Sequence, residues 1–92
     1  MNLRNLKLQV LSDVDLERAR QDSLWGKQRH QYGTWLAILG EEHGEVCQAI
    51  QSKIGLISSK ETDSDNLYIE LIHLAAVAVA IAEQVREEES EY

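Results

Sequence analysis

The chain has 92 residues, with 16 acidic against nine basic side chains for a net charge of −7, and it contains neither Pro nor Phe. A chain this short forms one small domain whose core is marginal unless something supplements it. The acidic balance argues against a nucleic-acid polymer as partner, because such binding rests on Lys and Arg neutralising phosphates; nucleotides remain open, since a divalent cation can bridge their phosphates to carboxylates. Cys47 has no second cysteine to pair with, which fits a reducing compartment. The longest uninterrupted apolar run, Leu74 to Ala82, is far short of the ~20 residues that span a bilayer. No apolar segment follows Arg4 and Lys7 as it would in a signal peptide, so the expectation is a soluble, cytoplasmic protein.

Residues 1–11 hold Leu3, Leu6, Leu8, Val10 and Leu11 without a clear period and read as an arm that packs on the domain or on a partner subunit. Ser12 or Asp13 supplies an N-cap for a first helix from Val14 to Leu24, with Val14, Leu16, Ala19 and Leu24 inward. Trp25 to Gly33 reads as a loop that concentrates Trp25, Lys27, Arg29 and His30 in an otherwise acidic chain. Thr34 can cap a second helix from Trp35 to Ile54. At about 100° per residue, Trp35, Ile38, Leu39, Glu42, Val46, Ala49 and Ile50 share one face. Glu42 lies near its middle, with Glu41 and Glu45 on its flank. Gly40 and Gly44 cost this helix roughly 1 kcal/mol each relative to Ala, which points to close approach of a backbone or ligand.

Gly55 is the expected C-cap, and residues 58–65 are polar and turn-like. Ser64 or Asp65 then caps a third helix from Asn66 to Arg86. Within it Glu70 projects among Leu74, Val77 and Ile81, and His73 lies one turn along beside Val77 and Ala80. The acidic tail 87–92 is expected to fray. The fold class is all-α: a single small helical domain with its core at about 14–86. Its wide apolar stripe is expected to be completed by homo-oligomerisation.

An unpartnered buried carboxylate is costly enough that it neutralises or acquires a partner, so Glu42 and Glu70 on apolar faces point to a cation. Positions i and i+3 lie on adjacent turns of one helix face, and Glu42/Glu45 and Glu70/His73 both have that spacing. Antiparallel pairing of the two helices brings the motifs together, and a divalent ion would relieve repulsion among the acids. Hard cations such as Mg²⁺ take one or two carboxylates plus water and substrate phosphates. The plainer reading of Glu41 is a solvated face, and His73 serves equally as a structural partner of Glu70 or as a metal ligand. His43 falls at the edge of the stripe, and Cys47 reads as a small hydrophobe. There is no Gly-rich phosphate loop, so phosphate contacts fall to a metal and to Lys27, Arg29 and His30. Trp25 either stacks on a base or anchors the loop in the core.

The segment Trp35-Leu36-Ala37-Ile38-Leu39-Gly40-Glu41-Glu42-His43-Gly44-Glu45, followed by Glu70-Leu71-Ile72-His73, resembles the MazG-like all-α nucleotide pyrophosphohydrolases. Their pattern is Glu-Glu-x-x-Glu on one helix and Glu-x-x-Asp on the next. The resemblance covers about residues 14–86 and includes Arg20-Gln21-Asp22, Trp25-Gly26 and Gln28. It implies a homodimeric or homotetrameric bundle that uses Mg²⁺, or Mn²⁺, to convert a (deoxy)nucleoside triphosphate to its monophosphate and pyrophosphate. It matches Glu42, Glu45 and Glu70 to metal ligands, with His73 at the fourth position, and Glu41 with Glu42 to the acids that hold metal or position water. Trp25, Lys27, Arg29 and His30 are the corresponding substrate-binding candidates. His73 stands where the family has Asp. A neutral imidazole adds no negative charge and is a poorer Mg²⁺ ligand, which implies weaker Mg²⁺ binding, a shift to a transition ion, or a nucleotide-binding domain with little hydrolysis. A di-iron carboxylate bundle assembled from Glu and Glu-x-x-His motifs of two copies is the other chemistry this spacing allows.

Overall fold

The computed structural model of the chain describes residues 2–55 and 66–90. Among these residues it forms three α-helices: α1 (Leu3–Trp25), α2 (Tyr32–Lys53) and α3 (Leu67–Ser90). The expected all-α class is observed. The start of α1 differs from the sequence expectations. The arm at 1–11 is helical from Leu3 onward, because the Asn2 side chain accepts a hydrogen bond from the Asn5 amide at 2.8 Å and caps the helix there. Ser12 and Asp13 then lie inside an unbroken helix, where their intrinsic penalty is only a few tenths of a kcal/mol. The helix stops at Gly26, whose φ of +71° favours glycine and whose amide donates back to the Asp22 carbonyl at 2.8 Å.

Tertiary contacts rather than capping start α2. Its N-cap residue Gln31 makes no side-chain cap bond, and Thr34 lies within the helix. The entry is fixed instead from α3, as described below. α2 ends at Ile54, followed by Gly55 at φ +79°, the position where a left-handed glycine is expected after a helix. Asn66 caps α3 by accepting from the Ile69 amide at 3.1 Å. The candidate caps Ser64 and Asp65, and the polar stretch 58–65, lie outside the described residues. The expected fraying from residue 87 does not occur within the described residues: α3 continues to Ser90, because Glu87 and Glu88 are held by groups of the α1–α2 loop and the start of α2.

α3 is the central element. It runs parallel to α1, where Asp13 meets Tyr68 and Glu17 meets His73, and antiparallel to α2, where Trp35 meets Gln84 and Glu42 meets Glu70. Two small cores follow, one on each side of α3. Val14 packs with Ile72 and Ala76, supported by Val10 and Ala75. Trp35 packs with Val77 and Ala80, supported by Ile38, Leu39 and Ile81. No α1 and α2 Cα atoms come within 8 Å of each other among the described residues, so the two flanking helices leave a cleft floored by α3.

The inward face of α1 differs from the expected one. Leu16 and Leu24 are 64% and 57% exposed, and Ala19 is exposed. The row that meets α3 is Val10, Val14, Glu17 and Gln21, a 4-3-4 spacing that keeps one helical face. Two of its four members are polar, which hides it from a search for apolar periodicity. By length and composition alone α3 could cross a bilayer; here it is the floor of the cleft and carries Glu70, His73 and Gln84 on its packed face.

Candidate metal and ligand site

The row on α3 that faces α2 is Glu70, His73, Val77, Ala80 and Gln84, spaced 3-4-3-4. The facing row on α2 is Trp35, Ile38, Glu42, Glu45 or Val46, and Ala49. Antiparallel packing of these rows sets Glu42 beside the Glu70/His73 turn and Trp35 beside Gln84. Glu42, Glu70 and His73 each offer a ligand atom, and the three atoms lie within 4.8 Å of one another. Glu42 Oε2 is buried and has no hydrogen-bond partner among the described residues. Burial, and next the adjacent Glu45, push the Glu42 carboxyl above its ordinary range; His73 partly opposes this. Two carboxylates and an imidazole converging around a buried, unsatisfied oxygen form a donor set that fits a divalent cation, with the nitrogen favouring a first-row transition ion over Mg²⁺.

Glu45 is half-buried one turn from Glu42 and interacts with it, but it lies outside the converging group. Glu41 is exposed. Once Glu42 turns toward α3, a neighbour about 100° around the helix points to solvent, so a catalytic role for Glu41 is not supported within one chain. His43 is exposed, with its Nε2 3.8 Å from the Cys47 sulfur. Nothing lies within 4 Å of a side chain added at Gly40 or Gly44, so the close approach expected at those glycines is absent among the described residues.

Beside the acid–imidazole group the cleft widens into a cavity of about 360 Å³. Glu17, Glu42 and His73 line it together with Trp35, His30 and Trp25, and with the amide groups of Gln21 and Gln28. Trp35 is only 3% exposed, and the His30 ring meets it edge-on at 4.7 Å between centroids. Trp25 is 59% exposed, which overturns the alternative that it anchors the loop in the core. Its ring lies 6.0 Å from the Arg20 guanidinium carbon.

The other two basic candidates do not reach the cavity. Arg29 Nη2 and Lys27 Nζ bind Glu87 Oε2 at 2.9 and 3.0 Å, and together they hold the Glu87 carboxyl down to about 2, with Arg29 the larger cause. The acid they find is the tail expected to be free. Two polar residues were missed by sequence reasoning. Gln84 is buried among apolar neighbours; its Oε1 accepts from the Trp35 indole at 2.8 Å and the His30 amide at 3.0 Å, and its Nε2 donates to the His30 carbonyl at 2.8 Å. This one side chain sets the entry of α2 and the His30 wall of the cavity. Glu17 is also buried; it takes two 2.7 Å bonds from Arg20 and one of 3.1 Å from Gln21. Arg20 foremost holds its carboxyl below the usual range. For Gln84 the available signal was helical register, since it continues the His73–Val77–Ala80 row; Glu17 continues a Val10–Val14 row that only the packing of α1 on α3 reveals.

Comparison with protein-family models, with curated proteins and with solved structures finds no match to this chain.

Proposed function

We propose that the chain is a metal-dependent nucleotide pyrophosphohydrolase of the MazG-like type. The observation that carries this reading is the single cleft that joins an acid–imidazole group, suited to a cation and its bound phosphates, to an aromatic and amide-lined cavity of about 360 Å³. Trp35, His30 and Trp25 offer ring surfaces to a base, and Gln21 and Gln28 offer donors and acceptors to its edge. Glu42, Glu70 and His73 would hold the ion, whose charge would also relieve the repulsion between Glu42 and Glu45. When bound, the ion supplies Lewis-acid polarisation of the phosphates and a more acidic bound water. Glu42, which lines the cavity, would orient the water that attacks the α-phosphorus; the bond to the pyrophosphate oxygen breaks, pyrophosphate leaves, and the water's proton passes to solvent.

Self-association belongs to the same proposal. Leu36, Ile50, Leu71 and Val79 are 72%, 42%, 44% and 41% exposed on α2 and α3, and a second copy is the partner that would cover them in a homodimer or homotetramer. The test is pyrophosphate release from a panel of (deoxy)nucleoside triphosphates with Mg²⁺ or Mn²⁺. Turnover is expected with at least one nucleotide and to fall to background in Glu42→Ala and Glu70→Ala. Turnover that persists in both variants rules out the site. A second reading, nucleotide binding with little hydrolysis, is favoured by His73 and by the pairing of Lys27 and Arg29 with Glu87; binding without turnover, with turnover gained in His73→Asp, would select it.

A further inference from the structure

His73 lies between two acids that belong to different helices. Its Nε2 is 3.9 Å from Glu17 Oε2 on α1, and its Nδ1 is 3.8 Å from Glu70 Oε2 on its own helix. The two ring nitrogens of a neutral imidazole are not equivalent. The one that gives its hydrogen to an acceptor leaves the other as the metal donor, and such acceptors are commonly carboxylates. Glu17 is well suited to be that acceptor. It is buried, and Arg20 and Gln21 fix its two oxygens. Closing its distance to His73 to hydrogen-bonding range takes a shift of about 1 Å.

We propose that Glu17 is a positioning residue for the metal centre: it takes the Nε2 hydrogen of His73 and leaves Nδ1 as the donor toward Glu42 and Glu70, so that the centre prefers a divalent ion that accepts nitrogen. This rests on the metal reading of the site given above. Glu17 and His73 form a matched pair. A carboxylate at position 73 would have no hydrogen to give and would face Glu17 as a like charge, whereas an imidazole converts the same acid into a support. The departure from the Glu-x-x-Asp pattern thus has its complement on α1, on a helix that carries neither acid motif.

Two measurements test this. In ¹⁵N-labelled, metal-free protein, long-range ¹H–¹⁵N correlations recorded where the His73 ring is neutral are expected to show the Nε2–H tautomer. The Nδ1–H tautomer in the wild type overturns the proposal without any variant having to fold. In a Co²⁺ titration followed by visible absorption, Glu17→Gln is expected to weaken binding about 10- to 100-fold while the helical circular dichroism is kept. Unchanged Co²⁺ affinity in that variant overturns the role of Glu17 and leaves the metal centre standing. Failure of the folded wild type to take up Co²⁺ overturns the metal centre and this inference with it.

Discussion

At Glu42 two requirements conflict. The helical register that buries Trp35, Val46 and Ala49 carries this carboxylate toward α3, where burial, and next Glu45, raise its carboxyl above the ordinary range. Because folding raises its pKa, the folded protein holds that proton more tightly than the unfolded chain does. The ionised group therefore costs stability at neutral pH, and the cost disappears as pH falls below the ordinary value of 4.5. Without divalent ions, Glu42→Gln is expected to raise the melting temperature at neutral pH. The gain should vanish near about pH 4; thermal melts across that range check both. Glu42, Glu70 and His73 were legible in the sequence because each interrupts an apolar helical face. Glu17 was not, because a charged residue on a largely charged helix gives no contrast until the packed row of α1 is known.

The three helices were legible as elements, since long periodic segments without Pro have few alternatives to helix. Their ends were not. Ser12, Asp13 and Thr34 are competent caps by residue type, yet Asn2 and the α3 contacts set the boundaries. Gln84 shows why. Its hydrogen bonds to Trp35 and His30 join positions 49 and 54 residues apart in the chain, and no local signal records such a pairing. Gln84→Leu keeps the volume roughly constant but leaves the Trp35 indole and both backbone groups of His30 without this partner. A loss of about 2–4 kcal/mol is expected from several buried groups losing their partner, measured by urea denaturation. Faster exchange of the Trp35 indole hydrogen is expected alongside it. A loss under half a kcal/mol would mean that water replaces Gln84 at little cost.

For the molecule as a whole, the radius of gyration is 15.2 Å, against about 12 Å for a compact domain of this length. No large side chain among the described residues is fully buried, consistent with two thin cores on opposite sides of α3. Leu71, Ala78 and Ala82 mark a third face of α3 that neither flanking helix covers. Light scattering on the wild type is expected to give a dimer or tetramer, and Leu36→Asp or Leu71→Asp is expected to shift it toward monomer while helicity is retained. A wild type that is monomeric at high micromolar concentration would remove the oligomer from the proposal.

The sequence by itself determined the helical class, the inward row of α2 apart from Ile50, which is exposed, and the convergence of Glu42 with Glu70 and His73. Those features follow from the 3.6-residue period acting on local runs. The tertiary structure decided which basic residues reach the cavity, where α2 begins, and that α1 contributes a buried acid behind His73. Each of these depends on which distant group a polar side chain meets. That is fixed by the packing of α1 and α2 on either side of α3, and no local pattern encodes it.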